Sequence, residues 1–348
     1  MNTKSLVILI VFLLVGAGAY FSSTAKNSIN TSESIGAAIV PALQTAVNDV
    51  SELQVVGANN EILATLKRQQ NGWSVKERHQ YPADISKIRS ALLSMAEAKI
   101  VEQKTSNPDL YDKLGVENIA SPNAQGVKAI LAYGNEKSEL IVGKPGPQIN
   151  KSRYVRLASS DTSWLVDRKI DLKHQPDYWL RKDIFSIEPS EVAAVTITLQ
   201  DNSRLEISHS EGEEDDVFIV TNLTDPNSQV VEAEVHQLTN ALSSFQLLDV
   251  AEKAAFSDVE STMKVNYQLK SGVDLHLTAY EIEKDHFAEL EFGLVEGINA
   301  DQTADAQIYI DELIKLTSGW VYKIPNVTYD SMYKREADVL AITEDQLN

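Results

Sequence analysis

From residue 50 to residue 75 apolar and polar side chains alternate: Leu53 and Val55, then Ile62, Ala64 and Leu66, then Trp73 and Val75. Gly57-Ala58-Asn59-Asn60 and residues 69–72 separate these runs. A period of two broken by turn residues predicts an antiparallel meander. After Pro82 and Asp84 the period changes, and Ile85, Ile88, Leu92 and Met95 fall at helical spacing. That spacing predicts a helix with one face on the sheet.

The second half repeats the pattern. Val195, Ile197 and Leu199, then Leu205 and Ile207, then Phe218 and Val220 alternate, with Asp201-Asn202-Ser203 and the acidic residues 211–216 as turns. A second helix is expected on Val235, Leu238, Leu242 and Phe245, which repeat the spacing of Ile85, Ile88, Leu92 and Met95. Farther on, Glu139-Leu140-Ile141-Val142-Gly143 has an echo in Glu289-Leu290-Glu291-Phe292-Gly293, and Trp164-Leu165-Val166 in Trp320-Val321-Tyr322. Two registers are open in between: residues 264–269 match residues 128–133, or they form an extra strand in the place of residues 105–117. The expected fold class is α+β, an N-terminal transmembrane helix followed by two divergent copies of an antiparallel-sheet-plus-helix unit. The expected blocks are 1–25, a membrane anchor and its flank; 26–49, a tether and lead-in; 50–185 and 186–335, the two units; and 336–348, a C-terminal tail. The boundary is placed at residues 179–189, where WLRKDIFSIEP interrupts the strand pattern.

Residues 5–21, SLVILIVFLLVGAGAYF, carry no charge and follow Lys4. A spanning helix needs roughly 17–25 apolar residues, so this run is long enough to anchor the chain. A cleaved signal peptide is the alternative, given the small residues near Ser23 and Ala25. The anchor is preferred because Tyr20 and Phe21 carry the run to an aromatic, interface-type end. The expectation is a single-pass protein of the bacterial inner membrane, attached through residues 5–21, with its C-terminal body in the periplasm. The formal net charge of −19 over 348 residues disfavours phosphate backbones, so no nucleic-acid partner is expected. With no cysteine, disulfides and thiolate chemistry are excluded.

Several motifs in order resemble the bacterial domain of unknown function 4340 (DUF4340). They are Trp73-Ser74-Val75, Tyr81-Pro82-Ala83-Asp84, Thr105-Ser106-Asn107-Pro108, Tyr111 and Leu114-Gly115-Val116-Glu117. Val142-Gly143-Lys144, Arg153-Tyr154-Val155-Arg156 and Trp179-Leu180-Arg181 continue the likeness. The resemblance implies a membrane-anchored envelope protein with ABC-type, gliding-motility-like transporter subunits as partners, and it implies no catalytic residues. The residues themselves suggest structural tasks. Asn107-Pro108 fixes a turn with Asn107 as a cap, and Gly115 suits the left-handed position that ends a short helix. Gly143-Lys144-Pro145-Gly146 lacks the full phosphate-loop pattern, and Pro145 removes an amide donor, so a turn after a strand is expected there.

No catalytic, cofactor-binding or metal-ligating set emerges. His79, His174, His209, His236, His276 and His286 show no HExxH pairing, and Ser243-Ser244 sits on the expected second helix without a base at recognisable spacing. The acidic residues 211–216 lack the alternating ligands and fixed glycine of a calcium loop. The best polar and aromatic cluster for contact with a ligand or partner is Arg153, Tyr154 and Arg156. The expected function is that of a non-enzymatic, membrane-anchored periplasmic accessory or scaffold protein. Two alternatives stand beside it: a binding protein for a small molecule or cell-wall fragment in a cleft between the units, and a hydrolase whose site assembles only in space.

Overall fold

The computed structural model describes residues 34–149, 151–210, 217–243, 245–297 and 300–341. The expected anchor at residues 5–21 and the acidic residues 211–216 lie outside the described residues. Among the described residues no helix is long and apolar enough to cross a membrane. The fold mixes α and β structure, with antiparallel sheets and few helices.

The described residues divide into two compact units, one within 34–71 and 85–175, the other within 72–84 and 176–341. The first begins with a short helix α1 (Pro41–Ala46), whose proline sits in the first turn where no amide donor is needed. It continues with β1 (Val50–Val56) and β2 (Ile62–Gln69). The next two strands, β3 (Gly72–Val75) and β4 (Tyr81–Pro82), form a hairpin that belongs to the second unit. The first unit resumes with helix α2 (Ile85–Ala96), β5 (Ile100–Gln103), helix α3 (Tyr111–Leu114), β6 (Val127–Tyr133), β7 (Glu136–Pro145), β8 (Arg153–Leu157) and β9 (Ser163–Val166). Its strands are ordered β2-β1-β6-β7-β8-β9-β5.

Alternation gives this sheet one mostly apolar face. Leu53 lies opposite Leu66 and Leu131, Val55 opposite Ala64 and Ala129, and Val142 opposite Val155, and all are buried. Helix α2 contributes Ile88, Ala91, Leu92 and Met95 to the core. Ile62 and Ile85 do not share in it: both stand at the start of their elements and are about half exposed, at 51% and 48%.

The second unit contains β10 (Asp183–Phe185), β11 (Val192–Leu199), β12 (Arg204–His209), β13 (Phe218–Val220), helix α4 (Glu232–Asn240), β14 (Phe245–Gln246) and β15 (Asp249–Glu252). Then come β16 (Met263–Leu269), β17 (Val273–Ile282), β18 (Asp285–Leu294), helix α5 (Ala300–Thr317), β19 (Trp320–Ile324) and helix α6 (Asn326–Met332). Its large sheet is ordered β13-β12-β11-β16-β17-β18-β19-β15. From β12 onward this repeats, strand for strand, the order β2-β1-β6-β7-β8-β9-β5. Residues 264–269 therefore stand in β16, in the place that residues 128–133 occupy in β6.

Three sequence expectations change. The second helix stops at Asn240, so Leu242 lies beyond it and Phe245 enters β14 against Phe185, with ring centroids 5.1 Å apart. Leu242 and Phe245 are buried as expected, but not on a helix. Ser243 likewise follows the helix rather than sitting on it. The echo of Glu139-Leu140-Ile141-Val142-Gly143 falls in β18, whose place matches β8, whereas the original lies in β7. Alternation marks a strand without marking which strand it is. Helix α5, for which no expectation was drawn, separates β18 from β19 and buries Ala306, Ile310, Leu313 and Thr317 at helical spacing.

Candidate functional site

Strand β8 carries the three residues singled out by the sequence, and the pleat divides them. Successive side chains of a strand point to opposite faces. Tyr154 and Arg156 share one face, while Arg153 shares the other with the buried Val155.

The Tyr154–Arg156 face lies under the segment that joins β5 to β6. There Val56, Tyr111, Val116, Ile119 and Ile141 form a buried cluster, with Tyr154 packed against it. The segment is built as its residues suggest. The Asn107 side chain accepts a bond from the Asp109 amide at 3.1 Å, Pro108 opens the turn, and α3 ends on Gly115 in the left-handed conformation at φ 67°. Arg156, only 6% exposed, reaches into this cover. Its Nε donates to the Val116 carbonyl and a terminal nitrogen to the Ser160 carbonyl, both at 2.9 Å. Its guanidinium lies 4.6 Å from the centre of the Tyr111 ring, and the Tyr111 hydroxyl donates to the Asp161 carbonyl. Burial lowers the Arg156 pKa, opposed by Tyr111, Asp161 and Glu117. Arg156 is thus a cation used internally to tie two loops to the sheet.

The glycine motifs belong to the same construction. A Cβ on Gly143 would stand 2.3 Å from the Leu114 carbonyl oxygen, and one on Gly126 would stand 2.2 Å from that of Gly115. Of the turn expected at Gly143-Lys144-Pro145-Gly146, the first three residues are instead the end of β7, where backbone passes against backbone, and only Gly146 lies beyond the strand. Two further motifs, about a hundred positions apart, meet in the second unit. The Asp84 amide donates to the Trp179 carbonyl at 2.8 Å and the Arg181 amide to the Pro82 carbonyl at 3.0 Å. Tyr81 stands edge-on to Trp320 and Tyr322, and burial pushes its hydroxyl up to about 12. Arg78 grips the Asp249 carboxylate with two bonds of 2.6 and 2.9 Å.

On the other face of β8, Arg153 lines a pocket of about 270 Å³ together with Lys144, Asp171, His174, Gln125 and Gly143. A terminal nitrogen of Arg153 donates to the Gly143 carbonyl at 3.4 Å, and its Nε is buried with no hydrogen-bond partner among the described residues. Burial lowers the Arg153 pKa, and Asp171 opposes that shift. Burial also pushes Asp171 up, but Lys173 at 3.2 Å and Lys169 at 3.5 Å outweigh it and hold the carboxyl below its usual range. Sequence reading reached Arg153 but not Lys144, Asp171 or His174 as its neighbours, because the bend after residue 166 that returns residues 170–174 to β8 leaves no periodic signal.

A second polar cluster lies on β18. Glu289 and Glu291 are two apart on one face of a strand, a spacing that the sequence displays. Lys253 bridges them, with 2.9 Å to Glu291, and the Tyr280 hydroxyl donates to the second oxygen of Glu289 at 3.0 Å. Burial, with Glu289 adding to it, pushes the Tyr280 hydroxyl up to about 12. Beside it lies a pocket of about 360 Å³ that Trp320 and Phe292 help to line. Of the histidines, His276 pairs with Asp274 at 3.2 Å, His79 with Glu252 at 3.2 Å, and His286 stacks on Tyr329. Among the described residues no group of three or more His, Asp or Glu side chains is placed to hold a metal ion.

No curated protein and no solved structure matches the chain. Residues 73–271, more than half of the chain, match the family described as Domain of unknown function (DUF4340), and they contain nearly every motif whose packing is given above. The match begins at Trp73 of the β3–β4 hairpin and runs past β16, so this chain is a member of the DUF4340 family.

Proposed function

We propose that this protein is a membrane-anchored periplasmic accessory or scaffold subunit that works by contact with envelope partners, ABC-type transporter components among them. The observation that carries this reading is the uncharged run at residues 5–21 ahead of a large acidic body. Such a run holds the body at the membrane surface, where weak contacts gain strength because binding between two anchored partners is partly intramolecular. The body itself is read as two divergent copies of one antiparallel-sheet-plus-helix unit, a reading supported by the shared strand order and by equivalent placement of Trp164-Leu165-Val166 in β9 and Trp320-Val321-Tyr322 in β19. The side chains that looked most like chemistry support a structural use. Arg156 is bonded to backbone carbonyls, and the Glu289–Glu291 pair is neutralised in part by Lys253.

The test compares the full chain with a secreted form of residues 26–348 for co-purification with transporter subunits. Loss of association on detachment supports the proposal. Equal activity from the free body, together with turnover of a purified substrate, would replace it with an enzymatic reading. Leu13→Arg should cost about 2.5–3.5 kcal/mol of insertion free energy near the centre of the run, releasing the protein from the membrane fraction. Retention of that variant, or a mature protein that begins near Lys26, would remove the anchor.

A further inference from the structure

We propose that the pocket lined by Arg153, Lys144 and His174 in the first unit binds a small oxyanion, a carboxylate or phosphate group. Arg153 has an incomplete set of hydrogen bonds. A guanidinium offers five N–H donors in a fixed planar fork. For Arg153 one long bond to the Gly143 carbonyl is made at 3.4 Å, and the Nε is buried without a partner among the described residues. Buried polar groups are as a rule paired, and an orphaned donor needs a reason.

The acidic group at hand does not supply it. Asp171 is engaged by Lys173 and Lys169, so its charge is shared before it reaches Arg153. Lys144 adds a further positive charge, and its Nζ is held by a neutral carbonyl, that of Asp112, at 2.8 Å. His174 stands exposed at the rim. In a chain with a formal net charge of −19, this pocket gathers the cations Lys144 and Arg153 and the imidazole of His174 against a single carboxylate, Asp171. An oxyanion meets the fork of an arginine with two parallel bonds, which an isolated carbonyl cannot do. A volume of about 270 Å³ suits one small acid or the acidic end of a larger molecule. The inference does not depend on the accessory role, and each can fail alone.

The experiment is isothermal titration of the full chain in detergent at fixed ionic strength, with inorganic phosphate in one arm and acetate in the other. Saturable one-to-one binding in either arm is expected, and the stronger arm identifies the chemistry. Arg153→Gln should weaken it by about tenfold or more, whereas Arg204→Gln, which removes an exposed arginine paired with Glu206 on β12, should leave it unchanged. Gln125→Glu places a negative charge at an exposed lining position and should also weaken binding, in a variant with no reason to misfold. Absence of saturable heat from both anions up to about 10 mM would overturn the proposal. So would wild-type affinity in folded Gln125→Glu or Arg153→Gln, or an equal loss in Arg204→Gln.

Discussion

The two large sheets share a strand order, but their polar faces are closed by connections of different length. In the first unit residues 104–126 pass from β5 to β6 and lay Tyr111, Val116 and Ile119 over Val56 and Ile141. In the second, residues 253–262 make the corresponding passage from β15 to β16, and Phe256 packs on Tyr280 and Val321. The longer cover hides an arginine completely enough that backbone carbonyls must accept its protons. The shorter one leaves Lys253 half exposed above Glu289 and Glu291, so water shares in solvating the cluster. Strand topology therefore does not fix the chemistry of a sheet face. The length of one connection decides whether charge there becomes an internal tie or an accessible group.

The glycines test this contrast most severely. Gly143→Ala or Gly126→Ala should destabilise the first unit by about 3 kcal/mol or more, because the new methyl meets backbone that has no room to yield. Gly293→Ala, at the residue that echoes Gly143 in sequence, has open space and should stay within about 0.5 kcal/mol. Denaturant unfolding of the three variants measures both, and equal losses would mean that the two faces are closed alike.

Arg156→Ala comes next. It removes two charge-assisted bonds and strands the Val116 and Ser160 carbonyls, for an expected loss of about 2–3 kcal/mol in the same measurement. A loss within about 0.5 kcal/mol would show that the covering loops hold without it. Lys253→Met breaks a more solvated arrangement and should cost about 1 kcal/mol, discounted for the exposure of the lysine.

The smallest effect is one of pH. The bond from Lys253, with burial opposing it, holds Glu291 below its usual range. The folded state therefore binds that proton less readily than the unfolded chain. Its contribution is complete above the unfolded carboxylate pKa and fades as pH falls through the lower, folded one. Unfolding curves on the acid side should be less steep in Lys253→Met than in the wild type. Identical acid limbs would remove the ion pair from the account.

The sequence by itself determined the meander, helix α2, the cap at Asn107 and the helix stop at Gly115. Each of these depends on neighbours within a few positions: a period of two or of 3.6, a side chain returning to a nearby amide, a backbone angle that glycine accepts. It also marked Arg153, Tyr154 and Arg156, because two arginines around a tyrosine on an alternating strand are conspicuous. Only the tertiary structure decided their fates. The pleat separated Arg153 from the other two, the passage of residues 104–126 enclosed Arg156, and the return of residues 170–174 gave Arg153 its pocket. It likewise put residues 72–84 with the second unit, joined Tyr81-Pro82-Ala83-Asp84 to Trp179-Leu180-Arg181, and placed the echo of the β7 motif in β18. Periodicity reports which side of an element is apolar, and that is a local property. Which connection comes to lie over the polar side depends on contacts between residues far apart in the chain, and no spacing encodes them.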